Sequence, residues 1–137
     1  MNKLLMHSEQ KIETAINIGL NTRQIIFEYS QGLINNRDYQ ILEFIVVEHL
    51  ARRKVVMEQG MGLRHLGSRY TLRKSIQTLI DQGFVAIQES EDSRVRPLVP
   101  TERALQLFTS IGDRIDSLMV CSPQYSEILN TTEQKSA

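Results

Sequence analysis

Ser68-Arg69-Tyr70-Thr71-Leu72-Arg73-Lys74-Ser75-Ile76-Gln77-Thr78-Leu79-Ile80-Asp81-Gln82 is a stretch with two chemical faces. Leu72, Ile76, Leu79 and Ile80 recur at spacings of four, three and one, which puts them on one side of a helix, while Arg69, Tyr70, Arg73, Lys74 and Gln77 fall on the others. One side suits a hydrophobic core and the other a polyanion. Ser68 is placed to cap the helix, because its hydroxyl can accept from a free backbone N–H of the first turn, and Gly83 can supply the left-handed residue that ends it.

Taken alone, such a stretch is an ordinary amphipathic surface helix whose charges are solvated. The segment after Gly83 points elsewhere. Residues 84–90, Phe-Val-Ala-Ile-Gln-Glu-Ser, are rich in strand formers, Glu91-Asp92-Ser93 is turn material, and residues 94–100, Arg-Val-Arg-Pro-Leu-Val-Pro, lead back. Arg94 and Arg96 make this a hairpin with a basic tip. Helix, hairpin, then another helix is the order of a winged helix-turn-helix, in which the helix enters the major groove and the wing reaches the adjoining backbone or minor groove.

Charge supports a polyanionic partner only locally. The 137 residues sum to zero formal charge. Between Arg52 and Gln77, however, Arg52, Arg53, Lys54, Arg64, Arg69, Arg73 and Lys74 face a single acid, Glu58, and seven minus one leaves +6 on that segment. The interactions that release counterions from phosphates are short-ranged at physiological salt, so a basic patch on a neutral chain still binds nucleic acid. Double-stranded DNA is the partner this implies. On the recognition helix Arg69, Tyr70, Arg73, Lys74 and Gln77 can face the duplex. An Arg is the usual bidentate partner of guanine, Gln can pair with adenine, and Lys74, Ser68 and Thr71 suit phosphates. Arg52, Arg53 and Lys54 also sit where positive charge offsets a helix dipole.

The flanks read as helices. Residues 8–34 carry Ile12, Ala15, Ile16, Leu20, Ile26 and Phe27 at helical spacing, with Ser8 as a possible cap and Ile18, Ile25 and Tyr29 widening the apolar stripe. A helix with so broad a stripe buries two sides, which implies a second copy of the chain. Arg37 to Arg53 is nearly apolar in its middle, as a central core helix would be. Val55 to Leu66, with Gly60 and Gly62, reads as a short second helix. After the wing, Thr101-Glu102 starts another long amphipathic helix through Met119. Ser122-Pro123 opens a short one to residue 130, and residues 131–137 form a polar tail expected to be disordered. The expectation is one domain over residues 1–137, mainly α with a small β-hairpin wing: an N-terminal dimerisation helix (8–34), a winged helix-turn-helix (37–100), and C-terminal dimerisation helices (101–130).

Other function classes fit poorly. His7, His49 and His65 lack the mutual spacing of a metal site, Cys121 has no second cysteine, and no phosphate loop or nucleophile elbow occurs. The expectation is therefore no enzyme, no cofactor and no metal. No apolar run approaches the roughly 18 to 20 residues that span a bilayer, and the N-terminus lacks a secretory core, so no membrane is expected and the compartment reads as cytoplasmic. Cys121 cannot form an internal disulfide, which agrees.

Leu66-Gly67-Ser68, Thr71-Leu72, Leu79, Gly83-Phe84-Val85, Asp92-Ser93-Arg94 and Leu98 through Ala104 together resemble the MarR family of winged-helix transcription regulators, over residues 38–110. The resemblance implies a homodimer joined through helices of both termini, acting as a repressor on a pseudo-palindromic operator. It implies that Arg94 touches DNA and that Asp92 helps hold the wing. An Arg at a hairpin tip suits a narrow minor groove, and a nearby carboxylate can orient its guanidinium; Arg96 is a second candidate. The sequence departs from the family at Val56 and Gly60-Met61, where a hydroxyl residue and Leu-Ala are usual. It departs again at Pro97, which cannot donate to a ladder and so implies a short or edge-like wing. The family's small phenolic effectors are not required by any residue here. Two other readings use the same fold: a protein-interaction module or antagonist of another regulator, and a plasmid or phage replication-control protein.

Overall fold

The structure, a computed structural model, describes residues 3–92 and 94–120. Its elements are α1 (Lys3–Ser30), α2 (Asn36–Leu50), α3 (Met57–Met61), a 3-10 turn (Arg64–Leu66), α4 (Arg69–Asp81), β1 (Val85–Ile87), β2 (Leu98–Pro100) and α5 (Glu102–Val120). The described residues are mainly helical with one antiparallel hairpin, as the pattern of the sequence predicts. The short helix expected at 124–130, the tail and Cys121 lie outside the described residues. The chain divides into two compact units, Ile26–Phe108 and the pair of segments up to Ile25 and from Thr109.

Within Ile26–Phe108, α2 begins on a reciprocal cap. Asn35 Oδ1 accepts from the Asp38 amide at 2.8 Å and the Asp38 carboxylate accepts from the Asn35 amide at 2.9 Å, so two otherwise orphaned donors are satisfied. The buried side of α2 is Ile41, Leu42, Ile45 and Val46. Val47 and Leu50, expected in a helix apolar all round, are exposed instead. Helix α4 sets Leu72, Ile76 and Leu79 against this core, each with no exposed surface. Tyr39 on α2 stacks on Phe108 with ring centroids 5.6 Å apart. Burial, with the Glu43 carboxylate nearby, pushes its phenol up to about 12, so it stays neutral.

The second helix is the clearest departure from the sequence reading. Expected over Val55 to Leu66, it is only Met57–Met61, and the 3-10 turn takes up the rest. Val55 is extended, buried, and bridged to Leu98, whose amide donates to the Val55 carbonyl at 2.6 Å. A β-branched residue is worth more as a third short strand beside the wing than as a helix start. Gln59 Oε1, accepting from the Val56 amide at 2.9 Å, supplies the cap that valine cannot. Gly60 has a tertiary reason: a Cβ there would stand 2.7 Å from Ile76 Cδ1, so the missing side chain lets α3 approach α4.

The wing is short. Val85 pairs with Pro100, Ala86 with Val99 and Ile87 with Leu98, and the Gln88 amide adds one bond to the Pro97 carbonyl at 2.8 Å. Pro97 accepts there and is not asked to donate, which is how the strand tolerates it. In the other unit, α1 and α5 are helical, α1 starting upstream of the expected Ser8 cap. Ile25 and Ile111 are buried, Arg114 donates to Asn21 Oδ1 at 2.8 Å, and Ile12, Ile16 and Leu20 stand more than half exposed on one face of α1.

Candidate nucleic-acid interface

Helix α4 is bounded by the residues its sequence predicts. Ser68 Oγ accepts from the Thr71 amide at 3.2 Å, and Gly83 stops the helix at φ 79, a conformation that favours glycine. The wing and α5 are tied to that stop. Thr101 Oγ1 accepts from the Ala104 amide at 3.3 Å, as an N-cap should, and donates to the Gly83 carbonyl at 2.6 Å. Arg103 donates to the Gln82 carbonyl at 2.6 Å and to the Tyr29 carbonyl, and its guanidinium lies 4.5 Å from the centre of the Phe84 ring. A cation at the C-terminal ends of α1 and α4 meets the negative poles of both helices. At the other end of α4, Arg37 Nε donates to the Leu66 carbonyl at 2.7 Å and fixes the turn that enters the helix.

Opposite the buried Leu72, Ile76 and Leu79, the side chains of Ser68, Arg69, Tyr70, Arg73, Lys74 and Gln77 are exposed on one element, with Thr71 half-buried beside them. Their states differ. Arg69 Nη2 donates to Glu58 Oε2 at 2.6 Å. Lys74 Nζ lies 5.4 Å over the Tyr70 ring, and Tyr70 itself is 71% exposed. Gln77 Nε2 donates to Asp81 Oδ1 at 2.9 Å. Ser68 and Thr71 bond to each other, hydroxyl to hydroxyl at 2.9 Å, so both are committed to the cap. Arg73 has no side-chain hydrogen bond or ion pair among the described residues. Of the three bases that follow α2, Arg52, Arg53 and Lys54, Arg53 is held by Glu48 through bonds of 2.6 and 3.1 Å, which keeps that carboxyl below the usual range.

The wing tip differs from the expected basic one. Glu89, Glu91 and Asp92 are exposed beside Arg94 and Arg96, three acids against two bases, so the tip as a whole is not positive. Asp92 holds the backbone: its Oδ1 accepts from the Arg94 amide at 3.0 Å, an Asx-type turn, and no ion pair with a wing guanidinium occurs among the described residues. Ser90 Oγ lies 2.6 Å from the Asp92 carbonyl and 2.5 Å from that of Val95, closing the turn from within. Arg94 and Arg96 keep their charged ends exposed, carried on a loop whose backbone is internally bonded.

Four contributors escaped the sequence reading as parts of the site: Glu58, Gly60, Arg37 and Arg103. Glu58 could have been marked, being the one acid in a basic run, and Gly60 by its cost in a helix; the two arginines carry no local signal. Among the described residues no three His, Cys, Asp or Glu side chains gather as metal ligands, and no helix is long and apolar enough to cross a membrane.

No family model and no curated protein sequence matches the chain. Solved structures do. It is similar to Staphylococcus aureus MepR bound to ethidium bromide, with 15% identity over 99% of this chain and 94% of that one at a TM-score of 0.59. A second is S. aureus MarR in complex with salicylate and kanamycin, at 20% identity, 98% and 93% coverage and a TM-score of 0.52. A third is MepR described as a transcription regulator of the S. aureus multidrug efflux pump MepA, at 11% identity, 99% and 96% coverage and a TM-score of 0.51. Helix α4 between its cap and its glycine stop, the short wing and the near-complete coverage agree: the chain has the winged-helix fold of the MarR-type regulators.

Proposed function

We propose that this chain is a transcription regulator that binds double-stranded DNA sequence-specifically as a homodimer, repressing from a pseudo-palindromic operator. The observation that carries the reading is the exposed face of α4, where Arg69, Arg73, Lys74 and Gln77 are presented on a helix anchored by a fully buried opposite face. Such a helix offers guanidinium and amide groups to base edges with its backbone held rigid. The same fold in a protein described as a regulator of an efflux pump adds to it. Residues 37–100 are the DNA-binding unit in this reading, which takes the protein to be cytoplasmic. The exposed Ile12, Ile16 and Leu20 suit a dimer layer, since a one-faced apolar stripe left in water is costly.

The test is fluorescence anisotropy of a mixed-sequence duplex titrated at two salt concentrations. Binding that weakens steeply with salt supports the reading; no binding at low salt moves it to the protein-interaction module. Within that assay Arg94→Ala should weaken binding to every duplex and lower the salt slope by about one, because a wing contact to the backbone or minor groove is mainly electrostatic. An unchanged slope would remove the wing from the interface. Light scattering at micromolar concentration should give twice the monomer mass; a monomer would remove the role given to the terminal helices.

A further inference from the structure

Glu58 is the only acid between Arg52 and Gln77, and it is not merely near the basic face of α4 but bonded to it. It lies in the first turn of α3, reaches eleven residues along the chain, and takes Arg69 Nη2 at 2.6 Å. Both side chains remain open to solvent, 69% for Glu58 and 60% for Arg69, so the pair sits at the surface beside the exposed side of α4. Exposed pairs of this kind contribute little to stability. Building a core therefore does not explain the carboxylate.

Resting on the DNA-binding reading, we propose that Glu58 is a specificity-determining residue, which suppresses sequence-independent binding by holding Arg69 away from phosphates. Arg69 is the first residue after the cap of α4, where a guanidinium reaches the duplex backbone most easily. While Glu58 holds it, one phosphate contact is missing. If Arg69 leaves for a phosphate, Glu58 is stranded as a bare negative charge beside the polyanion. Either way the electrostatic share of binding falls, and that share carries no sequence information. A correct site can compensate, since Arg73 and Gln77 still meet base edges; a wrong site cannot. The wing, with three acids against two bases, biases the surface in the same direction.

The experiment is the anisotropy titration of a mixed-sequence duplex with wild type, Glu58→Gln, Arg69→Ala and the double variant across a salt series. Glu58→Gln should bind several-fold more tightly at low salt. Its log–log salt slope should steepen by about 0.9, the value of one phosphate contact, which is an extra loss of about 3.5-fold between about 50 and 200 mM salt. In the Arg69→Ala background that slope increment should be lost, leaving only the smaller tightening that comes from removing an acid beside the polyanion. An unchanged slope in Glu58→Gln, the same steepening without Arg69, or weaker binding by Glu58→Gln with an unaltered melting curve would each overturn the inference. If wild type and Glu58→Gln both fail to bind duplex at low salt, the DNA-binding reading itself falls, and this inference with it.

Discussion

Phe84→Ala is expected to destabilise the chain by about 3 to 5 kcal/mol, the range for removing a buried aromatic ring from a core that relaxes only in part. Phe84 has no exposed surface, and it sits where α4 turns into the wing. Its amide donates to the Leu79 carbonyl at 2.9 Å and its carbonyl accepts from the Thr101 amide at 3.1 Å. Those backbone bonds survive the substitution. What is lost is the ring that fills the space behind α4 and carries the Arg103 guanidinium on its face. Urea denaturation should report the loss as a lower midpoint, and Phe84→Leu, which keeps most of the volume, should cost well under half as much. A loss below about 1 kcal/mol for Phe84→Ala would mean that the site collapses around the gap and that the ring does not hold the wing to the helix.

Arg73→Ala should weaken binding to the preferred duplex by about 1 to 3 kcal/mol, roughly 5- to 150-fold, while leaving fold stability within about 0.5 kcal/mol. Arg69 is engaged by Glu58, Gln77 by Asp81, and Lys74 lies over Tyr70. Arg73 stands one turn beyond Arg69 with its fork of donors uncommitted among the described residues, so in the DNA-binding reading proposed above it would meet a base without first breaking a bond. The same reason makes its removal harmless to the fold. The discriminating measurement is the ratio of affinities for a selected site and a mixed-sequence duplex. A ratio that falls assigns Arg73 to base reading, and an equal loss on both would make it a phosphate contact.

The two arginines predicted to matter most were both legible in the sequence, Arg73 from the periodicity of its helix and Arg94 from its place in the hairpin. What could not be read was how each charged group is occupied. The three acids Glu89, Glu91 and Asp92 beside Arg94 and Arg96 were legible in the sequence, but not that the Asp92 carboxylate is placed on a backbone amide. Val55 illustrates the limit on the fold side. Its neighbours Val56 and Met57 make a helix start plausible locally, and only the arrival of Leu98 from beyond the wing makes an extended residue the better choice.

By itself the sequence determined the elements whose signals are local: the two faces of α4, its serine cap and glycine stop, the use of Thr101 as the cap of α5, and the hairpin with a proline on its return strand. These depend on contacts within a turn or two, so spacing and residue type are enough. Only the tertiary structure decided that Glu58 holds Arg69, that Arg37 fixes the turn at Leu66, that Gly60 clears the way for Ile76, and that Arg103 joins the end of α1 to the end of α4. Each joins residues brought together by the packing of separate elements, the last across 74 positions of chain. Such pairings depend on how the faces of those elements meet, and no local pattern encodes that meeting.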